Sequence, residues 1–386
     1  MPGEQFIFSQ RHKGTVGIFA DKASSLPRII FTVTNDLNYD QRMHRIAGTL
    51  ARNGFDVMLV GRKIKRSLPL QPKHFEQTRL NCFFEKGFLF YAAYNFRLFF
   101  FLLFKRADIL CAIDLDTILP VYFVSSIKRQ KRVYDAHELF TEQKEIVSRP
   151  GIHRFWLMIE GFAVPKFRKG YTVNDMLVKE FNKRYQVQYE LVRNLPFYRV
   201  SADGTNMPDK TIIYQGAVNE GRCFETLMPA MEHVQARLII YGTGNFLEQA
   251  KQLTRQYQLQ DKILFYGPLL PEALAERTQQ AYIGITLFEA GGMNQFYSLA
   301  NRFFDYIMAG KPQVCVNYPA YASINSEYEV AYLVDDTQPG SIAAALNRLL
   351  TDNALYTRLQ TNCLQAREIL NWEDEQDKLI RFYNDL

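Results

Sequence analysis

Asp305 lies in the stretch YSLANRFFDYIMAGKP (residues 297–312), which reads as a short helix with a carboxylate on its first turns, closed by Gly310 and followed by Pro312. A strand, residues 313–316, starts at once. In an open parallel sheet, a carboxylate at such a place sits where small ligands bind. It can accept hydrogen bonds from a pair of sugar hydroxyls. Arg222 stands in a second stretch, IYQGAVNEGRCFETL (213–227), where a glycine-bearing loop around Gly216 joins a strand to a helix. Backbone N–H groups of such a loop favour anions. Arg222, at the helix start, adds a guanidinium whose fork matches phosphate. Taken alone, it reads equally as a solvated surface arginine. In a third stretch, YDAHELFTE (134–142), His137 follows a strand directly and is flanked by Asp135 and Glu138. Carboxylates so close can set an imidazole's tautomer and move its pKa.

These residues need a scaffold that brings strand ends together. Residues 28–33 read as a first strand and 40–53 as a helix, with Met43, Ile46, Ala47 and Leu50 at helical spacing. Gly54 ends that helix, and 55–60 is the next strand. This is a β-α-β unit, the mark of a parallel sheet. The pattern recurs with strands at 107–112, 132–135, 169–173 and 189–192, and a helix at 119–127. The polar stretch 199–210 is the best linker in the chain. After it come strands at 211–215, 236–241, 262–266, 283–288 and 313–316, with helices at 245–257 and 271–281. Helices at about 340–351 and 353–370 follow, and the tail 372–386 reads as a last helix. The fold class is α/β, with Rossmann-like domains at 1–205 and 206–370. Residues 1–27 read as a poorly ordered lead.

Composition narrows the partners. The 386 residues are 47% hydrophobic and 22% charged, which suits two globular domains. A net charge of +6 is compatible with phosphate-bearing substrates or an anionic membrane surface, and too weak to argue for nucleic acid. Cys82, Cys111, Cys223, Cys315 and Cys363 are far apart, odd in number and without metal spacing, which reads as reduced thiols in a cytoplasmic protein. No apolar signal core opens the chain. The segment FFEKGFLFYAAYNFRLFFFLLF (83–104) is very aromatic, but its longest uncharged run, 87–96, is about half a bilayer-spanning length. It reads as a helix packed in the first domain. That helix is either ordinary core or a contact that, with Lys105 and Arg106, shows an aromatic and basic face to the inner side of a cell membrane.

The stretch around Asp305 resembles the donor-binding motif of retaining group 1 (family four type) glycosyltransferases of the GT-B fold, which include many bacterial polysaccharide and glycolipid enzymes. In that family an acidic residue five positions before the glycine of an E-A-x-A-x-G-x-P run holds the nucleotide ribose; Asp305 has that place relative to Gly310. The loop around Arg222 resembles the family's G-R-L…K-G-x-x-x-L segment, which grips the donor diphosphate. Arg222 stands for its lysine, while the usual arginine after the glycine is Ala217 here. Arg302 can replace that missing cation. The family places a G-x-G turn near the nucleotide, matched by Gly242 and Gly244. A V-x-F-x-G landmark contacting the base is matched around Tyr266 and Gly267. The sugar-contacting glutamate expected eight positions before Asp305 is Tyr297, and the nearest acid is Glu289, eight residues further back. The run through Ser298, Leu299 and Asn301 is similar to a branch with S-L-P-N-K-L-F-E-Y. His137 resembles the family's cleft histidine, which contacts the transferred sugar.

The resemblance implies two domains facing a central cleft, with the tail helix, 371–386, packed back on the first. It implies sugar transfer from a nucleotide-diphosphate sugar to a lipid-linked or polysaccharide acceptor, with retention, without metal or other cofactor. Asp40, Arg42, His137 and Glu138 are its acceptor-side candidates, although the paired glycines many relatives carry near Asp40 are absent. Asp114-Leu115-Asp116 has the spacing of the Asp-x-Asp metal motif of the other large glycosyltransferase fold; the doubly repeated α/β pattern instead makes it a strand-to-helix loop with a capping residue. Two rivals share these features: a nucleotide-sugar 2-epimerase, and a non-catalytic relative, for which Ala217 and Tyr297 speak.

Overall fold

The computed structural model describes residues 26–200 and 210–386, residue 66 apart. Nearly all of the expected lead, the middle of the expected linker and the boundary at 205/206 lie outside the described residues. The first sheet contains β1 (Arg28–Thr32), β2 (Asp56–Lys63), β3 (Glu76–Asn81), β4 (Ile109–Ile113), β5 (Lys131–Ala136), β6 (Lys169–Thr172) and β7 (Gln188–Leu191). Its order is β3-β2-β1-β4-β5-β6-β7. The second contains β8 (Thr211–Gln215), β9 (Arg237–Tyr241), β10 (Ile263–Phe265), β11 (Ile283–Thr286), β12 (Gln313–Val316) and β13 (Ala331–Val334), ordered β10-β9-β8-β11-β12-β13. Every pairing is parallel. Central strands such as β4 are continuous apolar runs because helices cover both their faces. Strand order reverses at β1/β4 and at β8/β11, and ligands of such sheets bind at the carboxyl ends beside that reversal. His137 follows β5, Arg222 follows β8, and Asp305 is on the helix Asn301–Met308 after β11.

Several elements went unread in the sequence. β3 is a polar edge strand, EQTRLN, with no apolar alternation to mark it. β13 is a four-residue edge strand. The helices Pro150–Ala163, Asp175–Tyr185 and Pro319–Tyr328 were also not anticipated. The helix carrying Asp305 begins at Asn301, so its carboxylate is on the second turn.

The helix Trp372–Asn384 lies on the first domain although it follows the second in sequence. Trp372, Leu379, Phe382 and Tyr383 join Phe31, Ile46 and Leu50 in one buried layer. Each such apolar side chain contributes on the order of 2 kcal/mol. Trp372 Nε1 donates to Thr49 Oγ1 at 2.9 Å, and the Tyr171 and Tyr383 hydroxyls meet at 3.2 Å. The tail therefore ties the two halves together.

The aromatic segment forms the helix Gly87–Phe104, and its two faces differ. Phe90, Tyr94, Leu98 and Leu102, every fourth residue, are buried against the sheet, and Tyr94 Oη donates to the Val33 carbonyl at 2.5 Å. Phe88, Leu89, Phe96, Phe100 and Phe104 are exposed. By length and composition the helix is apolar enough to cross a membrane. Its buried stripe nonetheless lays it along the domain.

Candidate active site

The carboxyl edges of the two sheets face each other across a cleft of about 990 Å3. Asp40, Arg45, His137 and Glu138 line it from the first half; Gly216, Arg222, Ser298, Leu299, Asn301, Arg302 and Asp305 line it from the second. The segment from Glu289 to Asn301 bridges the halves. Asn294 Nδ2 donates to Glu138 Oε2 at 2.8 Å and its Oδ1 accepts from Leu139 N at 3.0 Å. Asn174 Nδ2 donates to the Tyr297 carbonyl at 2.8 Å, Asn194 Nδ2 to Asn301 Oδ1 at 2.7 Å, and Lys144 pairs with Glu289 at 3.3 Å.

On the second wall, positive charge gathers without a direct ion pair. The guanidinium carbons of Arg222 and Arg302 lie 4.4 and 4.8 Å from the centroid of the Phe288 ring. Arg302 is buried. It donates to Tyr214 Oη at 3.1 Å and, at 3.5 Å, to the carbonyls of Gln215 and Leu287. Neither arginine meets a carboxylate within 4.0 Å among the described residues. Burial, and then the charge of Arg302, push Arg222 below its ordinary value. Two cations held together in a partly dry cleft form a site for a multivalent anion. The helix after this loop, Phe224–Ala230, starts two residues beyond Arg222 and has only seven residues. Side-chain charge therefore outweighs the helix end here.

The loop itself is built by close backbone approach. Gly216 has φ +117°, open to glycine and strained for other residues. A Cβ on Gly242 would fall 1.8 Å from the Gly216 carbonyl oxygen. Gly242 thus supports the Gly216 loop from β9.

Asp305 stands beside these cations. Its Oδ2 accepts from Gln215 Nε2 at 2.8 Å, and Gln215 Oε1 accepts from Thr278 Oγ1 at 2.6 Å. Burial pushes the Asp305 carboxyl up to about 6, against the pull of Arg45 and of the Gln215 bond. A buried carboxylate with acceptor capacity left over and a raised pKa favours a ligand that donates hydroxyl hydrogens.

The first wall is arranged differently. His137 Nδ1 lies 3.2 Å from Asp114 Oδ2, and Nε2 lies 3.2 Å from Asp135 Oδ2. Its backbone N donates to Asp114 Oδ1 at 2.9 Å. Burial opposes a charge on this imidazole, but Asp114 and Asp135 raise its pKa well above the ordinary value. Asp135 is fully buried, and its Oδ1 takes the Arg42 guanidinium at 2.9 Å. Burial alone would raise Asp135; Arg42 and His137 hold it below its ordinary value. Asp114 has φ 55° and ψ 174°, a backbone region used almost only by glycine. Strain at a site-lining turn is consistent with side-chain bonds that over-determine it. Asp116, the other carboxylate of the Asp-x-Asp pair, accepts from Thr34 Oγ1 and is pushed up to about 7 by burial and by Asp114. No group of three metal-ligating side chains occurs among the described residues.

Several expectations need correction. Arg42 lines the cleft, but it is buried and its guanidinium is bonded to Asp135 and the Val192 carbonyl, so it positions the wall. Asp40 lines the cleft, but it is also the cap of the helix Gln41–Arg52, accepting from Met43 N at 3.1 Å. His137 lines the cleft with each ring nitrogen 3.2 Å from a carboxylate oxygen, and its buried Nε2 makes no hydrogen bond among the described residues. Glu138 lines the cleft with its two oxygens held by Gln143 and Asn294. Gly242, Tyr266, Gly267 and Tyr297 do not line the cleft. The exposed Tyr266 ring stacks on Tyr241 at 5.6 Å, and Tyr297 packs against the first domain's core.

Residues that went unsuspected also line it. Arg45 is one helical turn from Arg42, donates to Asn194 Oδ1, and is pushed down to about 10 by burial. Its i,i+3 spacing from Arg42 was the available signal. Gln215 and Phe288, at strand ends, had none beyond position.

Residues 201–365 match the family model for glycosyl transferases group 1. A glycogen synthase from Aeromonas hydrophila is 25% identical over 180 residues, 44% of this chain and 36% of that protein. The match therefore spans well under half the length of that curated relative. Among solved structures, sucrose-phosphate synthase from Thermosynechococcus elongatus has a TM-score of 0.76 at 18% identity, covering 93% of this chain and 98% of that one. HepE from Anabaena, solved with UDP-glucose, has a TM-score of 0.74 at 10% identity, covering 93% and 100%. At these identities the structural likeness is one of fold.

Proposed function

We propose that this chain, whose residues 201–365 are a group 1 glycosyltransferase domain and whose two halves have the GT-B fold, moves a sugar from a nucleotide-diphosphate sugar to an acceptor hydroxyl in the cleft. The observation that carries this reading is the pair of cations Arg222 and Arg302, which make no direct ion pair among the described residues, set near the buried Asp305. That combination suits a diphosphate joined to a ribose. The ribose hydroxyls donate to Asp305, and the diphosphate lies between Arg222, Arg302 and the Gly216 loop.

In the reaction, the bond from the anomeric carbon to the diphosphate oxygen breaks and its electron pair leaves with the diphosphate. The two guanidiniums stabilise that growing charge. The acceptor oxygen bonds to the anomeric carbon from the same face, and its proton passes to the departing phosphate oxygen. This gives retention without a covalent enzyme nucleophile and gives the arginines the role a metal ion has in other phosphate chemistry. The acceptor approaches the first wall, where Asp40, His137 and Glu138 stand. His137, with Asp114 and Asp135, positions the turn that carries Glu138. The protein works in the cytoplasm, at the inner face of a membrane that its exposed aromatic helix contacts.

A thermal-shift panel of nucleotides and nucleotide sugars tests this on wild type and Asp305→Ala. One nucleoside-diphosphate series should raise the Tm of wild type and raise that of Asp305→Ala much less. No shift by any member, with the protein folded, would move the reading to a non-catalytic relative.

A further inference from the structure

The helix Pro150–Ala163 is apolar on both sides, burying Trp156, Ile159 and Ala163 in the core of the first domain. Its buried face holds Glu160, bonded to Thr141 Oγ1 at 2.7 Å, while Ile152, Phe155, Leu157, Met158 and Phe162 are exposed. Next to it the helix Ile118–Lys128 exposes Phe123 and Ile127, and beyond that the helix Gly87–Phe104 exposes its phenylalanines. All three pack into one buried layer of the first domain, so their outer sides form a continuous apolar face. A soluble surface rarely shows so much apolar area unless it meets a partner or a membrane. Cations stack on its rings: Arg97 over Phe83 at 4.9 Å, Lys105 over Phe101 at 5.3 Å, Arg132 over Tyr122 at 5.1 Å and Lys166 over Phe162 at 4.4 Å. Aromatic rings bordered by long cations suit an apolar layer topped by anionic headgroups.

A groove of about 650 Å3 runs between the helices Gly87–Phe104 and Pro150–Ala163. Tyr91, Leu119, Phe140, Trp156 and Ile159 line it. Phe88 and Phe155, one from each helix, meet edge to face at 5.7 Å on its exposed side. Gln143 and Glu145 line both this groove and the cleft. Gln143 also donates to Glu138 Oε1 at 2.5 Å. The groove thus leads from the apolar face to the acceptor wall. Arg149, on the groove wall, is placed for an anionic link.

We infer that the acceptor is a membrane lipid carrying an anionic link: its apolar chain lies in this groove, its charged link near Arg149, and its sugar-bearing head beside Glu138. The inference rests on the transferase reading for the acceptor's role, but the groove can be tested apart from it. The chain has two tryptophans, Trp156 in the groove and Trp372, fully buried at the start of the tail helix. The full chain is mixed with vesicles of phosphatidylglycerol and phosphatidylethanolamine whose acyl chains are brominated. Co-sedimentation together with loss of the Trp156 share of the emission is expected. Ala92→Phe, at an exposed position of the groove, should restore the emission while co-sedimentation persists. Co-sedimentation without quenching, or quenching unchanged by Ala92→Phe, would show the face resting on lipid with the groove empty and would overturn the inference. So would failure to bind vesicles. The nucleotide panel on the same sample separates the two readings: nucleotide binding without quenching sinks the groove alone, and quenching without nucleotide binding sinks the transferase alone.

Discussion

The two walls of the cleft are electrostatic opposites. On the first, the central charges interlock: Arg42 holds Asp135, Asp135 and Asp114 flank His137, and the backbone beneath is bent into a glycine-like turn at Asp114, while Arg45 at the edge has, among the described residues, only the neutral Asn194 oxygen. On the second, Arg222 and Arg302 share only the face of Phe288 and a few neutral oxygens, while Asp305 keeps an oxygen for something else. The network of Arg42, Asp135, His137 and Asp114 is balanced within itself; Arg222 and Arg302 on the second wall make no ion pair among the described residues and would gain one from an anion. Removing a charge from the first wall should therefore cost folding, and removing one from the second should cost binding and turnover.

The largest effect is expected from Asp135→Ala. It leaves the Arg42 guanidinium buried without its counter-charge, and breaking a buried pair in this way costs about 3–5 kcal/mol. Urea unfolding should show that loss as a lower midpoint at unchanged slope. A midpoint that hardly moves would mean the first wall is not the self-contained structure described here. Next is Arg222→Ala. Losing one preorganised group that stabilises transition-state charge lowers kcat by roughly 100- to 1,000-fold. Because Arg222 is pressed against the like charge of Arg302, the ligand-free variant should unfold at or slightly above the wild-type temperature. An Arg222→Ala protein as destabilised as Asp135→Ala would erase the contrast between the walls.

What could be read in the sequence follows the same division. Arg222 and His137 were legible as cleft residues because each stands in a loop after a strand at the sheet's carboxyl edge, and Asp305 because of its spacing from Gly310 in a short helix ahead of β12. Of the network around His137, Asp135 was legible as a near neighbour, while Asp114 and Arg42 were harder. Asp114 looked like half of a metal motif, and Arg42 looked like an acceptor contact 93 residues from the Asp135 it holds. Nothing local links them, because the parallel order β1-β4-β5 brings them together only after folding. The fold shows the same limit. Buried strands such as β4 announce themselves as apolar runs, whereas β3, a polar edge strand, has no such signal. In the helix Pro150–Ala163 the apolar residues on the outer side obscure the periodicity that a one-sided helix displays.

The smallest effects are those of pH, and the two walls should respond in opposite directions. On the second wall, Asp305 titrates at about 6 without ligand, and ribose hydroxyls favour its charged form. Affinity for a nucleotide sugar should then weaken as pH falls through about 6, and Asp305→Asn should flatten that dependence in a calorimetric titration. On the first wall, His137 has a raised folded pKa. Its contribution to stability is fully present below the unfolded imidazole value and is lost as pH rises through the folded one. Asp135, held low, contributes above the unfolded carboxylate value and loses that contribution as pH falls through its folded one. The network is therefore strongest between roughly 4 and 6.5, the ordinary values of the two groups. Unfolding free energy should decline on the alkaline side, and His137→Gln, which keeps a polar side chain but cannot titrate, should remove that arm while leaving the Asp305-linked change in affinity in place. Should His137→Gln instead abolish the pH dependence of nucleotide binding, the walls would be coupled, and the division of labour between them would fail.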